Sequence, residues 1–294
     1  MASTQLINQE ANQEQIFLDN SKEEQISKKK ILKACIVIPT YNEAKNIVSL
    51  IDEIFFHEGY YRSENKDLRL DVLVVDDKSP DKTYEVVKRY STKNDRVHLL
   101  LRKNKEGLGK AYIAGMKHAI ETLNPDVIFE MDADHSHDPK DIFRMIDEIN
   151  NGYDFVIGSR YVDGGQVPQN WGWHRKVISY LAGTISKVGL GLYGVKDCSG
   201  GFRAIKREVF DKVDLDSLNV RGYAFQVVLL EEVLHYEFSV KEIPISFEQR
   251  KDGVSKMRLN DMMEGWTAIF KVRSKRLLGR ISLLLGYSKN KNHN

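Results

Sequence analysis

Two aspartates separated by one residue, Asp132 and Asp134, stand at the end of the apolar run DVIFEM (126–131). If the backbone stays extended there, both carboxylates project to the same side. Two like charges held close repel each other and want a cation beside them. An all-oxygen donor set suits Mg²⁺ or Mn²⁺, which take one or two carboxylates together with substrate phosphates. The bland alternative is a pair of solvated loop aspartates, because the three-residue pattern alone carries little specificity. His135 and His137 raise the thought of zinc. Without a clear third ligand, a place in the loop or behind the metal ligands is the simpler role for both.

Two further polar clusters follow apolar runs in the same way: Pro39-Thr40-Tyr41-Asn42-Glu43 and Asp76-Asp77-Lys78-Ser79-Pro80-Asp81. The chain has no G-x-x-x-x-G-K-[ST] phosphate loop, and no G-x-G-x-x-G follows the first apolar run. Gly107-Leu108-Gly109-Lys110 is glycine-rich but comes later and is weak by itself. A P-loop NTPase and a dinucleotide-dependent dehydrogenase are therefore disfavoured. A nucleotide, if bound, is held by carboxylates and a metal.

The elements that must position these residues alternate. CIVIP (35–39), LDVLVV (70–75), VHLLL (97–101), DVIFEM (126–131) and DFVIG (154–158) read as strands buried on both faces. Between them lie helical patterns. Asn42 is a candidate cap for the first, whose apolar face is Ile47, Leu50, Ile51, Ile54 and Phe55. Thr83, Val86, Val87 and Tyr90 mark the second, 108–122 the third, and Asp138-Pro139 introduces the fourth over 140–150. Strand–helix alternation means an α/β fold with a largely parallel sheet. In such sheets a ligand sits beyond the carboxyl ends of the strands, where all three polar clusters fall. Further on, 174–190 reads as a core helix or as one half-sunk in a bilayer surface. CSGGFRAI (198–205) and KEIPISF (241–247) read as strands, with a helix around 223–236 between them.

The 294 residues carry 44 Lys plus Arg against 42 Asp plus Glu, with 41% hydrophobic residues, enough for a sizeable core. The near-neutral total hides an asymmetry. From Lys271 to Asn294 seven basic residues and no acidic one leave the rest at −5. Leu277, Leu278, Ile281 and Leu283–Leu285 interleave with those charges, the pattern of a basic amphipathic segment on a membrane surface. Cys35 and Cys198 are too few for a disulfide framework and read as small apolar groups in a reducing compartment. MASTQLINQEANQEQ lacks the pattern of a signal peptide, and no 18-residue apolar run is present. The expected organisation is a disordered polar leader (1–31), a catalytic domain (32–265) and a basic amphipathic tail (266–294). The expected location is cytoplasmic, peripheral on the cytoplasmic face of a membrane.

Seven segments together resemble the dolichol-phosphate (polyprenol-phosphate) mannosyltransferases of glycosyltransferase family 2. They are IVIPTYNEAKNI, VVDDKSPDKT, KEGLGKAYIAGMKHA, MDADHSHDP, GSRY, SGGFRAI and ISFEQRKDGVSK, in the family's order from about Cys35 to Gly265. Two departures stand out: the loop expected over 57–69 is longer than usual, and Lys78 and Lys82 stand where glycines are usual. The C-terminal membrane spans of some relatives are not found.

The resemblance implies a GT-A type nucleotide-diphospho-sugar transferase fold, with a mostly parallel sheet and helices on both faces. It implies metal-dependent, inverting transfer of mannose from GDP-mannose to the phosphate of a polyisoprenol. Pro39, Tyr41, Glu43, Val75 and Asp77 would line the nucleotide pocket. Asp132, Ala133 and Asp134 would hold the donor, with Asp132, Asp134 and Ser136 at a Mg²⁺ or Mn²⁺ ion. Arg160 and Arg175 would meet the acceptor phosphate, making them with Asp134 the catalytic set. Arg250, Ser255 and Lys256 would close over the phosphates. Asp197 is given a structural or secondary role. A membrane surface is the expected partner, a small membrane-anchor subunit is allowed, and nucleic acid is not expected. Two alternatives stay open: a polyprenyl-phosphate glucosyltransferase using UDP-glucose, and a non-catalytic nucleotide-binding protein at a membrane surface.

Overall fold

Among the described residues seven strands form where β-branched and aliphatic residues run together between polar turns. The structure, a computed structural model, describes residues 31–64, 66–168, 184, 187–188, 191–218, 224–248 and 274. The strands are β1 (Leu32–Thr40), β2 (Leu68–Asp76), β3 (Val97–Leu101), β4 (Val127–Glu130), β5 (Phe155–Ser159), β6 (Arg203–Lys206) and β7 (Val240–Pro244). They make one sheet in the order β3-β2-β1-β4-β6-β5-β7. Every pairing is parallel except those of β6, which runs antiparallel between β4 and β5. The helices are α1 (Ile47–Ser63), α2 (Thr83–Ser91), α3 (Leu108–His118), α4 (Asp141–Asn150) and α5 (Ala224–His235). A wider π-type turn, Ala119–Leu123, extends α3, and Asn124 in left-handed conformation ends it.

The period of two along the strands divides the core in two. Ala34, Ile36 and Ile38 of β1 and Leu70, Val72 and Val74 of β2 join α1, α2 and α4 on one face. Cys35, Val37, Leu73 and Val75 join α3 and α5 on the other. Both cysteines are free and sit in or against this second layer, where burial raises their thiols, Cys198 to about 12. They pack as small apolar groups, as their number implied.

The sequence reading needs correction at three places. Asn42 caps nothing: it lies in the loop at φ 62, and α1 begins only at Ile47, after Asn46. The long stretch 57–69 is mostly not a loop, because α1 continues through Ser63. Its extra turns are anchored by buried Glu58, which takes the Leu70 N–H at 3.0 Å and pairs with Arg96 at 2.6 Å. The run 198–205 is strand only from Arg203, for a reason given below. Lys78 and Lys82, the two departures from glycine, both adopt left-handed backbone (φ 52 and 63). That conformation costs a non-glycine residue about 1 kcal/mol, which is why glycine is the easier choice there.

Gly115 sets the height of α3 above the sheet. A Cβ there would stand 2.5 Å from Val37 Cγ1 and 2.7 Å from Val75 Cγ2, closer than carbon atoms approach. Gly115→Ala is expected to lift α3 and cost about 1–3 kcal/mol, despite alanine's better helix propensity. Urea unfolding measures it, and an unchanged midpoint would mean the two valines move aside freely.

Candidate active site

The carboxyl ends of β1, β2, β4 and β5 and the loop leading into β6 lie along one rim of the sheet. At the β1–β2 end most of the polar residues hold the loops to each other. Asp76 accepts Thr40 Oγ1 at 2.8 Å, Ser79 Oγ at 2.7 Å and the Ser79 N–H at 2.8 Å. Asp81 takes Thr83 Oγ1 at 2.6 Å and the Ala44 N–H at 3.0 Å, while Thr83 Oγ1 accepts the Glu43 N–H. Asp77 plays a different part. It faces Arg102 at 2.9 Å, close in charge but not aligned as a hydrogen bond. Burial outweighs that guanidinium, so the Asp77 carboxyl sits above the usual carboxylate range. Lys105 lies 3.6 Å above the Tyr41 ring. Arg102 and Lys105, just past β3, were missed because they lie in a polar loop of ordinary composition. Val75 is wholly buried under α3, so its side chain belongs to the core; Pro39 and Glu43 are half-buried in the rim. Glu43 accepts Asn46 Nδ2 at 2.8 Å.

Beyond β4 the backbone does not stay extended. It turns through Asp132, Ala133 and Asp134 to His135, which is left-handed at φ 60. The expected same-side projection by strand alternation therefore does not apply; the turn itself arranges the carboxylates. Asp134 accepts the Ser136 N–H at 3.1 Å, and Asp132 is reached by the Tyr112 hydroxyl at 3.4 Å. The two histidines are structural. His137 Nδ1 accepts the Asp132 N–H at 3.2 Å, fixing the tautomer with its proton on Nε2, and its ring stacks on Phe202 at 4.8 Å. His135 sits between Ser49 at 3.0 Å and Glu53 at 3.4 Å on α1. The residues at this turn fit a hard divalent cation. The donors are carboxylate oxygens, and Ser136 Oγ is buried with no hydrogen-bond partner among the described residues. Ser136→Ala should leave the fold intact and raise the half-saturating metal concentration about tenfold, the effect of losing one polar contact. An unchanged metal titration would remove Ser136 from the donor set.

Arg160, following β5, is partly buried and gripped from one side. Its Nε and Nη2 donate to the two oxygens of Asp197 at 2.8 Å each, its backbone N–H to the same carboxylate, and Nη2 also to Ser199. The guanidinium holds the Asp197 carboxyl below its usual range even though burial pushes the other way. Arg203 gathers the rest of this loop. Buried completely, it donates to the carbonyls of Cys198, Gly200 and Gln226 at 2.9, 2.8 and 2.6 Å. That is why 198–202 cannot be strand: its carbonyls turn inward to one side chain. In sequence Arg203 sits within an ordinary apolar run and gives no sign of this. Glu248, after β7, donates its N–H to the Ser136 carbonyl at 3.0 Å and so ties that segment to the aspartate turn. Arg175, Arg250, Ser255 and Lys256 lie outside the described residues, as do the segment 266–294 apart from Ser274, nearly all of 174–190 and the leader 1–30. Among the described residues no helix is long and apolar enough to cross a membrane.

A mixed seven-stranded sheet with a carboxylate turn at its rim is the GT-A architecture of nucleotide-sugar transferases. Glucosyl-3-phosphoglycerate synthase from Mycobacterium tuberculosis, solved with Mn²⁺, UDP and phosphoglyceric acid, shares it at TM-score 0.56 and 15% identity, over 81% of this chain and 76% of that one. The family model for glycosyl transferase family 2 matches residues 35–214, and the chain belongs to that family. Polyprenol monophosphomannose synthase of Mycolicibacterium smegmatis is 40% identical over 85% of this chain and 89% of its own. Undecaprenyl-phosphate mannosyltransferase of Micrococcus luteus is 36% identical over 77% and 88%. Dolichol-phosphate mannosyltransferase of Pyrococcus furiosus is 35% identical over 82% of this chain, which spans only 64% of that protein. The chain is thus a glycosyltransferase, and the family resemblance carried by its seven motifs holds.

Proposed function

We propose that this enzyme transfers mannose from GDP-mannose to the phosphate of a polyisoprenol at a membrane surface, with inversion at the anomeric carbon. Mannosyl transfer to a polyprenyl phosphate is supported by the names of all three relatives at 35–40% identity. The structural observation that carries the reading is the Arg160–Asp197 clamp. A sugar hydroxyl as acceptor needs a carboxylate base. Asp197 cannot serve as one, being bonded through both oxygens and held below the usual carboxylate range. An acceptor phosphate, with a second pKa of about 6, is already ionised at pH 7 and needs only to be positioned. A pre-oriented guanidinium suits that task.

In this reading Arg160 presents Nη1 to the acceptor phosphate while Asp197 fixes its plane. One phosphate oxygen attacks the anomeric carbon, the bond from that carbon to the GDP oxygen breaks, and GDP leaves; no proton need move. Asp132, Asp134 and Ser136 would hold Mg²⁺ or Mn²⁺, which supplies charge neutralisation on the departing diphosphate. Tyr41, Glu43 and Asp77 line the nucleotide side of the rim. Arg175, Arg250 and Lys256 complete the phosphate contacts on the ground of sequence. The basic stretch 266–294 would bring the protein to anionic headgroups, each basic residue adding on the order of 1 kcal/mol.

The test offers labelled GDP-mannose, UDP-glucose and UDP-N-acetylglucosamine separately, with polyprenyl phosphate in detergent, Mg²⁺ or Mn²⁺, and an EDTA control. Label entering the lipid from GDP-mannose alone, and lost with EDTA, is the expected result. Label from UDP-glucose instead would overturn the donor. Failure to sediment with anionic liposomes at low salt would overturn the membrane surface.

A further inference from the structure

Gln226, in the first turn of α5, is 2% exposed, and among the described residues neither its Oε1 nor its Nε2 makes a well-aligned hydrogen bond, although its amide stands beside the buried carboxyl of Glu130. Its backbone carbonyl is fully used by Arg203, so the main chain here is settled while the side-chain amide is not. A buried amide left unpaired is costly, and natural proteins keep one where a ligand or water completes it. The surroundings indicate which. Gly201 faces this amide, and a Cβ on it would lie 3.8 Å from Gln226 Nε2 and 3.9 Å from both carboxylate oxygens of Asp132. An empty position one heavy atom wide therefore separates the amide from the first aspartate of the turn. The wholly buried carboxyl of Glu130 meets the same amide. Such a space, with an amide on one side and a carboxylate of the turn on the other, matches a hydroxyl rather than a methylene.

We propose that the Gln226 amide hydrogen-bonds one hydroxyl of the donor hexose in the space beside Gly201, and that this contact sets which hexose is accepted. The proposal rests on the reading of Asp132 as a donor-holding residue. Gly201 is then glycine because any side chain would occupy the hydroxyl's place, not because the backbone demands it. An alanine there meets only ordinary van der Waals contacts, so it can be accommodated.

A substrate–enzyme cycle tests this. GDP-mannose and its 2-, 3-, 4- and 6-deoxy analogues are offered to the wild type, Gln226→Leu and Gly201→Ala, with kcat/KM measured for each and melting followed alongside. The wild type should lose roughly tenfold to a hundredfold with one analogue, since a site built around a hydroxyl is left unpaired without it. Gln226→Leu should lose a similar factor with GDP-mannose but nothing further with that same analogue, while the other deoxy penalties persist. Gly201→Ala should weaken GDP-mannose use at least tenfold and leave inhibition by GDP alone unchanged. Fully additive penalties at all four positions, or unaltered GDP-mannose use by Gly201→Ala, would overturn the contact. Should Gln226→Leu fail to fold, the Gly201→Ala arm decides. If the wild type ignores GDP-mannose but uses another nucleotide hexose, the function proposed above fails. The same cycle with deoxy forms of that hexose then decides the amide's role separately.

Discussion

Asp134→Ala should leave a folded protein that no longer transfers sugar. The carboxylate's visible structural duty is one bond, accepting the Ser136 N–H, and losing it costs about 1 kcal/mol. In the proposed function its chemical duty is larger. Removing one of two anionic donors to a cation that neutralises a leaving diphosphate forfeits several kcal/mol of transition-state stabilisation. At 1.36 kcal/mol per decade that is about a 10³-fold fall in turnover. The melting temperature should drop by only a few degrees. The measurement is turnover against Mg²⁺ or Mn²⁺ concentration, with circular dichroism on the same samples. Activity within tenfold of wild type at saturating metal would show that the turn at β4 does not hold the catalytic cation.

Asp197→Asn acts through a different link. Arg160 and Asp197 are a buried, bidentate pair, with their side chains 11% and 0% exposed. Neutralising one member leaves the other charge uncompensated, which costs about 3–5 kcal/mol. The direction with pH follows from linkage. The Asp197 carboxyl lies below its ordinary 3.8 in the folded protein, so its contribution is fully present above that value. It is lost as pH falls through the lowered folded value. Asparagine imitates the protonated acid. The melting temperatures of wild type and variant should therefore differ by about 10 °C at pH 7, begin to converge only below the ordinary 3.8, and meet below the lowered folded value. A gap that stays constant into acid would show that shape rather than charge holds the pair. The variant should also lose use of the lipid phosphate more than affinity for GDP, because Arg160 is released from its plane. Comparable losses on both would mean that Arg160 serves the donor.

How legible the site was in the sequence depends on the distance over which each residue acts. The aspartates at 132 and 134 announce themselves because a polar pair directly after a buried strand breaks a strong local pattern. The clamp does not, because Arg160 and Asp197 are 37 residues apart and each looks like a surface charge by itself. Arg203 is harder still. An arginine inside an apolar run reads as an edge position, whereas in the fold it is the largest wholly buried side chain among the described residues, bonded to two carbonyls of the 198–202 loop and one of α5. Its neighbour Glu130 ends a buried strand, and no local signal marks that its carboxyl meets Arg203 at 3.9 Å and the amide of Gln226.

The same division applies to the fold. Five strands with four helices between them, the two-faced burial of the strands and the rim where a ligand must lie follow from hydrophobic periodicity, a property of neighbours in the chain. The seven motifs in order, which fix the family, are likewise local. Tertiary structure alone decided that β6 enters antiparallel between β4 and β5, since pairing partners are chosen by which edges remain free and which loops can reach. It also decided that the chain turns after β4, that Asp197 is bonded through both oxygens to Arg160, and that a buried amide on α5 faces Asp132 across a glycine. Each of these is an encounter between segments distant in sequence, where burial removes water and leaves geometry to say which polar groups meet and which wait for a ligand.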